Sequence, residues 1–557
     1  MSGRGRARVM VLPVLALLLA ACSKSTPNRA TPVQQAGSFA AIATPAISGI
    51  ADRTPAAIAP SPATARAPAA GTPAGPASTA TAASATGTDW PVYGHDPQRS
   101  GVNPNETAIN PNGVGGLRQQ WTQALPELTG GSPILLHAVA LGDGSRADLL
   151  YVTTSHGSTL ALNAASGAIV WRKDTSGPQI PGQRCQVCAT PAADPSHQWI
   201  YAAGNDGAVH RYAAGTGQED TAAPWPVVVT HLNGYEKRSS ALNVANGYLY
   251  VALSGYFGDF GPYVGHVVSV RLADGAVSVF NVLCSDQHAL LAPPSAAPGS
   301  QAACSQREAG VWARGGVVVD EGDGPTAGSL YIASGNGPFD ANSGGKDYGD
   351  SVLRLSADAG RLLDSWTPST YQQLDDRDLD LGSTAPALLP DQPQSKTPYL
   401  AVQGGKDGVL RLLDRAHLGG LGGELQAIAL NQGQILTSPA VWQDTQANGG
   451  DWVFVVTART TVAYRIATDG SGVTRLDEAW RLGQGGSSPV LAGGVLFLTT
   501  GDGVTARDPH DGRQLWSSAQ DSAGGNIGGN HWQTPIVVDG RLYIADEAAH
   551  VVCYSLP

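Results

Sequence analysis

The sequence predicts an all-β fold, an eight-bladed β-propeller of four-stranded blades whose last blade is closed by an N-terminal strand. Three observations predict it. A phrase returns eight times between Trp90 and Pro557: a short aromatic strand, a glycine turn, a second strand, then often an acidic or glycine turn leading to tryptophan. A small residue followed by proline precedes most copies, and a lone strand stands before the first copy while the last copy ends too soon. A strand repeat of this kind marks radial or linear repetition.

The clearest copies are Leu150-Tyr151-Val152, running through Ala161, Asn163 and Gly167 to Trp171, and Leu496-Phe497-Leu498, running at the same spacing through Ala506, Asp508 and Gly512 to Trp516. The others open at Ile200-Tyr201, Leu249-Tyr250, Leu330-Tyr331, Tyr399-Leu400, Trp452-Val453 and Leu542-Tyr543. They are about fifty to eighty residues apart, the size of a four-stranded blade with its loops. The small-residue and proline landmark falls at Ser132-Pro133, Thr190-Pro191, Ala385-Pro386, Ser438-Pro439, Ser488-Pro489 and Thr534-Pro535, with Ser240-Ala241 and Gly315-Gly316 in the two remaining places. Such residues suit the start of an innermost strand, where backbones crowd a central channel and the first N–H needs no partner. The strand starts then surround one funnel mouth. The eighth copy ends at Val551-Val552-Cys553-Tyr554 without room for an outer strand, and Leu117-Arg118-Gln119-Gln120-Trp121 supplies it, removing the open edge.

Outside the ring, Arg4, Arg6 and Arg8 precede an apolar run from Val9 to Leu19 that is too short to remain as a spanning helix, so residues 1–21 read as a signal peptide. Residues 22–88 are Ala, Pro, Thr, Ser and Gly with scarcely an aromatic; they cannot bury enough apolar surface to offset ordering entropy and read as a disordered tether. Residues 89–557 form the propeller, expected to be monomeric. A net charge of −11 with 14 % charged residues argues against nucleic acid or an anionic membrane face as partner.

Five cysteines follow Cys22, in an oxidising compartment. Cys284 and Cys304 bracket a Pro/Ala/Ser-rich loop and can clip it, and Cys553 lies in an apolar strand as a buried thiol. Cys185-Gln186-Val187-Cys188 immediately precedes the Thr190-Pro191 strand start. Ala189 stands where covalent haem needs histidine, and a zinc site lacks its second cysteine pair, so a disulfide is the plainest reading.

Two resemblances add to this. Leu19-Ala20-Ala21-Cys22 resembles the bacterial lipobox, which implies cleavage before Cys22, lipidation of its thiol and membrane attachment through that lipid; Ser23 then implies the outer membrane. The repeat from Trp90 onward resembles the propeller of pyrroloquinoline quinone (PQQ) dehydrogenases and their non-enzymatic relatives. Gly310-Val311-Trp312-Ala313 is similar to the segment whose tryptophan floors the quinone, an aromatic plane suited to a flat cofactor. Gly335-Asn336-Gly337 is similar to the loop whose asparagine ligates calcium, a hard cation that takes oxygen ligands. Leu374 to Asp380 resembles the acidic segment with the catalytic base, a role that falls on Asp378, and Gly405-Lys406-Asp407-Gly408 is like the stretch whose cation reaches the quinone oxygens. Each has a plain structural alternative: an inter-blade tryptophan, a left-handed asparagine, a solvated acidic loop, a turn lysine.

The resemblance thus implies cofactor contacts at Trp312, Lys406, Cys185, Cys188 and Thr190, and metal ligands at Asn336, Asp378 and Asp259. The departures are equally specific. The cysteines are separated rather than adjacent, Ala189-Thr190 replaces an expected arginine, and Asp259 stands in a loop where the family has glutamate. No haem-binding CxxCH segment is present. Two functions remain: a lipid-anchored envelope propeller that binds protein partners and carries a degenerate cofactor funnel, or an active PQQ- and calcium-dependent dehydrogenase acting on an alcohol or sugar. About 58 residues per blade is the loop-rich length of the dehydrogenases. A carbohydrate-binding surface has only the loop Tyr256-Phe257-Gly258-Asp259-Phe260 in its favour.

Overall fold

The computed structural model describes residues 87–292, 304–446, 449–501, 503–520 and 527–557. The signal peptide, the lipidation position Cys22 and all but the last two residues of the tether lie outside the described residues. The propeller belongs to the compact unit Ala80–Pro557. Eight antiparallel sheets follow one another along the chain, each with the four expected strands; three gain a short fifth. Among the described residues no helix is long and apolar enough to cross a membrane.

The innermost strands begin at Ile134, Ala192, Asn243, Val318, Ala387, Ala440, Val490 and Ile536, each within three residues of a small-residue landmark. Neighbouring starts bond to one another around the axis. Ser132 Oγ lies 3.0 Å from Thr534 Oγ1, Ser132 N–H donates to Thr190 Oγ1 at 2.9 Å, and Ser438 N–H donates to Ser488 Oγ at 2.9 Å. A Cβ on Gly315 would lie 2.9 Å from Ser438 Oγ and 3.0 Å from Ala385 Cβ, which explains why this start carries no side chain.

Ring closure is as the sequence predicts. Arg118–Ala124 pairs antiparallel with His550–Ser555, from Arg118 opposite Ser555 to Ala124 opposite His550, as the outer strand of blade 8. Neighbouring blades are locked by the repeat's own residues. Trp171 packs its indole where a side chain on Gly217 would sit and donates Nε1–H to Ala214 O at 2.7 Å; Trp480 and Trp516 donate likewise to Pro509 O and Leu117 O. The strand tyrosines add hydroxyl bonds to the next blade, Tyr250 to Ala357 O at 2.6 Å and Tyr331 to Arg415 O at 2.9 Å. The positive φ of Gly167, Gly217 and Gly512 shapes the turns that receive these rings.

One element carries no trace of the repeat. Residues 90–103 run along the inner edges of the blades: Trp90 bridges Leu135, Ala193 N–H donates to Pro91 O, Val319 N–H to Pro97 O, Val441 N–H to Ser100 O, and Val102–Asn103 pairs in parallel with Leu491–Ala492. Arg99, 3 % exposed, donates to the carbonyls of Tyr93, Leu242 and Gly315 and so ties this plug to the strand starts.

Candidate functional site

The loops that enter the inner strands enclose a cavity of about 450 Å³. Its walls include Lys237, Tyr256, Asp259, Trp312, Arg314, Asp378, Asp380, Lys406 and Trp532. Each enters from the few residues before a strand-start landmark, or from a loop between the inner strands. Trp312 is pinned by its neighbours: Val311 N–H donates to Leu253 O at 3.1 Å and Val311 O accepts from Ser240 Oγ at 2.9 Å. Trp532 stands edge-on to it, with ring centroids 6.3 Å apart and planes at 86°. The buried Gln533 sets Trp532 in place, its Oε1 accepting the N–H of His531 and Trp532 and its Nε2 donating to Thr129 O.

On the Trp312 side lies an ion cluster. A short helix, Tyr371–Asp376, delivers the acidic segment, and Asp378 sits at φ 52°. Lys406 Nζ contacts Asp378 Oδ1 at 2.6 Å and Asp380 Oδ2 at 2.5 Å, and lies 5.6 Å from the Trp312 ring centroid. The two carboxylates differ in exposure: the Asp378 side chain is 74 % exposed, that of Asp380 13 %. Asp380 Oδ1 also accepts the Asn336 N–H at 2.7 Å. Burial works against the Lys406 ammonium, but the paired carboxylates outweigh it and hold its pKa above the usual lysine value.

Asn336 does not line the cavity. Its Nδ2 donates to Asp350 Oδ2 at 3.0 Å while its buried Oδ1 has no hydrogen-bond partner among the described residues. Asp350, buried and accepting Leu381 N–H, is pushed up to about 8 chiefly by desolvation, with Asp380 adding repulsion. Asp259 lines the cavity and accepts the Tyr263 hydroxyl at 2.6 Å. Nearby Glu308 is raised by burial and then by Asp259 and Asp375.

A second group of charges lies on the Trp532 side. The Arg314 guanidinium covers the Trp532 ring at 4.9 Å and donates to Ser239 O at 2.9 Å. Burial lowers its pKa to about 10. Lys237 is pushed down to about 7, first by burial and then by the charge of Arg314. Neither cation has a carboxylate within ion-pair distance among the described residues.

Of the residues read from sequence, Trp312, Lys406, Asp378 and Asp259 come together in this cavity. Asn336 lies one hydrogen bond away, behind Asp380. Cys185 and Cys188 form a disulfide that packs on Gly130, and Cys188 O accepts from Arg314 at 3.4 Å. Thr190 spends its hydroxyl on Ser132 in the strand-start ring. The Cys284–Cys304 disulfide and the buried thiol of Cys553 are also present. Sequence reading missed Lys237, Arg314, Asp350, Asp380 and Trp532. Position relative to the landmarks would have found three of them: Lys237, Arg314 and Trp532 lie within three residues before Ser240, Gly315 and Thr534.

The donor set does not fit the calcium that the resemblance implies. Of the three expected ligands, Asp378 is held by the Lys406 ammonium and Asp259 by the Tyr263 hydroxyl, while Asn336, whose Oδ1 has no hydrogen-bond partner among the described residues, stands outside the cavity. No group of three or more His, Cys, Asp or Glu side chains able to hold a metal occurs among the described residues.

Comparison with known proteins gives the following. The family described as outer membrane protein assembly factor BamB matches residues 108–290 and 421–556, more than half of the chain. Among solved structures, the chain is similar to the quinohemoprotein alcohol dehydrogenase ADHIIG from Pseudomonas putida HK5, at 17 % identity and TM-score 0.57, covering 84 % of this chain and 80 % of that one. It is similar to a europium-containing methanol dehydrogenase, at 16 % identity and TM-score 0.60, covering 84 % and 98 %. A quinohemoprotein alcohol dehydrogenase from Comamonas testosteroni gives 15 %, 0.58, 84 % and 80 %. At these identities the likeness establishes the propeller and not its chemistry. No curated protein matches the chain.

Proposed function

Since the chain belongs to the PQQ-repeat propeller family described as outer membrane protein assembly factor BamB, we propose that it is a lipid-anchored cell-envelope binding protein whose funnel is a degenerate cofactor site. The observation that carries this reading is the Lys406 ammonium lodged between Asp378 and Asp380. A carboxylate base beside a metal needs that space for the cation; here a protein cation fills it and neutralises the base. Partner proteins would engage the blade edges or the funnel rim, where Phe257 is 87 % exposed. The lipid is carried by Cys22, and the test of attachment is direct: Cys22→Ser should move the protein from the membrane to the soluble envelope fraction.

The funnel is tested by adding PQQ to the full chain with and without calcium and following tryptophan fluorescence. This reading expects no calcium-dependent retention. A second reading, an active PQQ-dependent dehydrogenase, is favoured by the unpartnered buried Oδ1 of Asn336 and by the aromatic and cationic walls. Tight calcium-dependent binding, with alcohol or sugar oxidation lost in Asp378→Asn, would establish it and overturn the first.

A further inference from the structure

Lys237 is an amine with no ion-pair partner among the described residues, in the lining of a cavity large enough for a small molecule. It sits on the two-residue strand Glu236–Lys237, opposite Ser254. Its strand neighbours are spent elsewhere: Glu236 accepts from the Thr230 hydroxyl and from Val264 N–H, and Arg238 donates to the Asn233 side chain and to Glu236 O. The charged groups that share the cavity are Arg314, next to Trp532, and the cluster of Asp259, Asp378, Asp380 and Lys406, whose carboxylates are bound to Tyr263 or Lys406. Lys237 and Arg314 line one cavity, Arg314 feels Glu547 only through its longer-range field, and its guanidinium against Trp532 suits an anionic ligand. An amine desolvated next to a second cation is also the arrangement that leaves a lysine unprotonated and nucleophilic at neutral pH.

We propose that Lys237 is a carbonyl-reactive amine that condenses reversibly with a small anionic aldehyde or ketone, its anionic group held by Arg314 against Trp532. The nitrogen lone pair attacks the carbonyl carbon and a C–N bond forms. The carbonyl oxygen takes two protons, one from the amine and one from solvent, and leaves as water as the C=N bond forms with its nitrogen protonated; no oxidant or reductant takes part. The depressed pKa of Lys237, about 7, supports this, because near neutral pH a substantial share of its amine is unprotonated while an ordinary lysine is almost wholly protonated. Lys406, held protonated by its carboxylates, makes a poor competitor in the same cavity. The site shares its cavity with the ion cluster and so rests on the reading that the funnel holds no quinone, which the PQQ titration tests separately.

The probe is pyridoxal 5′-phosphate, an aldehyde with a phosphate, added to the full chain near pH 7.5 and trapped with borohydride, with the adduct located by peptide mass mapping. The expected result is one dominant adduct, on Lys237, formed at least about tenfold faster than on any other lysine, as its larger neutral fraction requires. Lys237→Met should abolish it, and Arg314→Met should remove the preference for the phosphate over uncharged pyridoxal. Adducts spread over the other lysines of the parent protein, with none favoured at Lys237, would overturn the proposal. That measurement needs no variant to fold. An undiminished phosphate preference in Arg314→Met would overturn the role given to Arg314.

Discussion

At the residue scale the site turns on which of two neighbouring aspartates faces inward. Asp380 accepts both a backbone N–H and an ammonium at 13 % exposure, whereas Asp378 is largely in solvent. Asp380→Asn should therefore cost about 1–3 kcal/mol, the loss of a charged hydrogen-bond acceptor at a half-buried site, and Asp378→Asn should stay within about 0.5 kcal/mol, both read from urea unfolding. Sequence spacing put the acidic segment in the right place but not this division, because it depends on how the chain turns at Asp378, where φ is 52°, and on which carboxylate receives the Asn336 N–H. A different residue sets a pH dependence. His210 donates between Glu219, at 2.7 Å, and Asp206, at 3.1 Å; burial opposes its charge, but the two carboxylates prevail and raise its pKa above 6.5. The folded protein thus holds this proton more tightly than the unfolded chain. The stabilisation is complete below about pH 6.5 and is lost as pH rises through the raised folded value. His210→Gln should narrow its stability deficit between about pH 6 and pH 9; a deficit that is constant over that window would refute the assignment.

At the element scale the repeat is legible because its conserved spacing does physical work between blades. The tryptophan that ends the outer strand and the glycine of the next blade's turn form one joint, seen at Trp171 with Gly217, at Trp480 with Gly512 and at Trp121 with Gly167. Trp171→Phe keeps most of the packing and loses the bond to Ala214 O, so it should cost about 1 kcal/mol; Trp171→Ala leaves a cavity and should cost about 3–5 kcal/mol. Gly217→Ala should also destabilise, since its Cβ would meet the indole at 2.7 Å and its φ is 67°. Denaturant midpoints of the three variants rank them. The inner strands were legible for a related reason: Ser132, Thr190, Ser438, Ser488 and Thr534 are small because they meet at the axis. The plug was not legible, since residues 90–103 bind mainly through backbone groups to blades far along the chain, and such pairing leaves no period in the sequence.

At the scale of the whole molecule the two N-terminal elements do different jobs on opposite edges of the sheets. Residues 90–103 fill the inner edge and fix the strand starts beneath the cavity, while Arg118–Ala124 covers the outer edge of blade 8 and closes the ring. Closure couples the first and last blades: Trp121 packs on Gly167 of blade 1 and 6.0 Å from the Tyr543 ring of blade 8, and Tyr543 donates to Ala164 O across the same joint. A ring in which every blade has two neighbours unfolds as one unit, because opening any joint exposes two apolar faces and an unpaired strand edge. Replacing Arg118–Ala124 by a Gly/Pro segment of equal length removes the ladder's donors and the Trp121 joint without shortening the connection. The melting temperature of the whole propeller should fall by several degrees while the transition stays single, and the variant should self-associate through the exposed His550–Ser555 edge. An unchanged melting temperature in a monomeric variant would mean that blade 8 is held by the plug and its neighbours alone, and that the closing strand is dispensable for the ring.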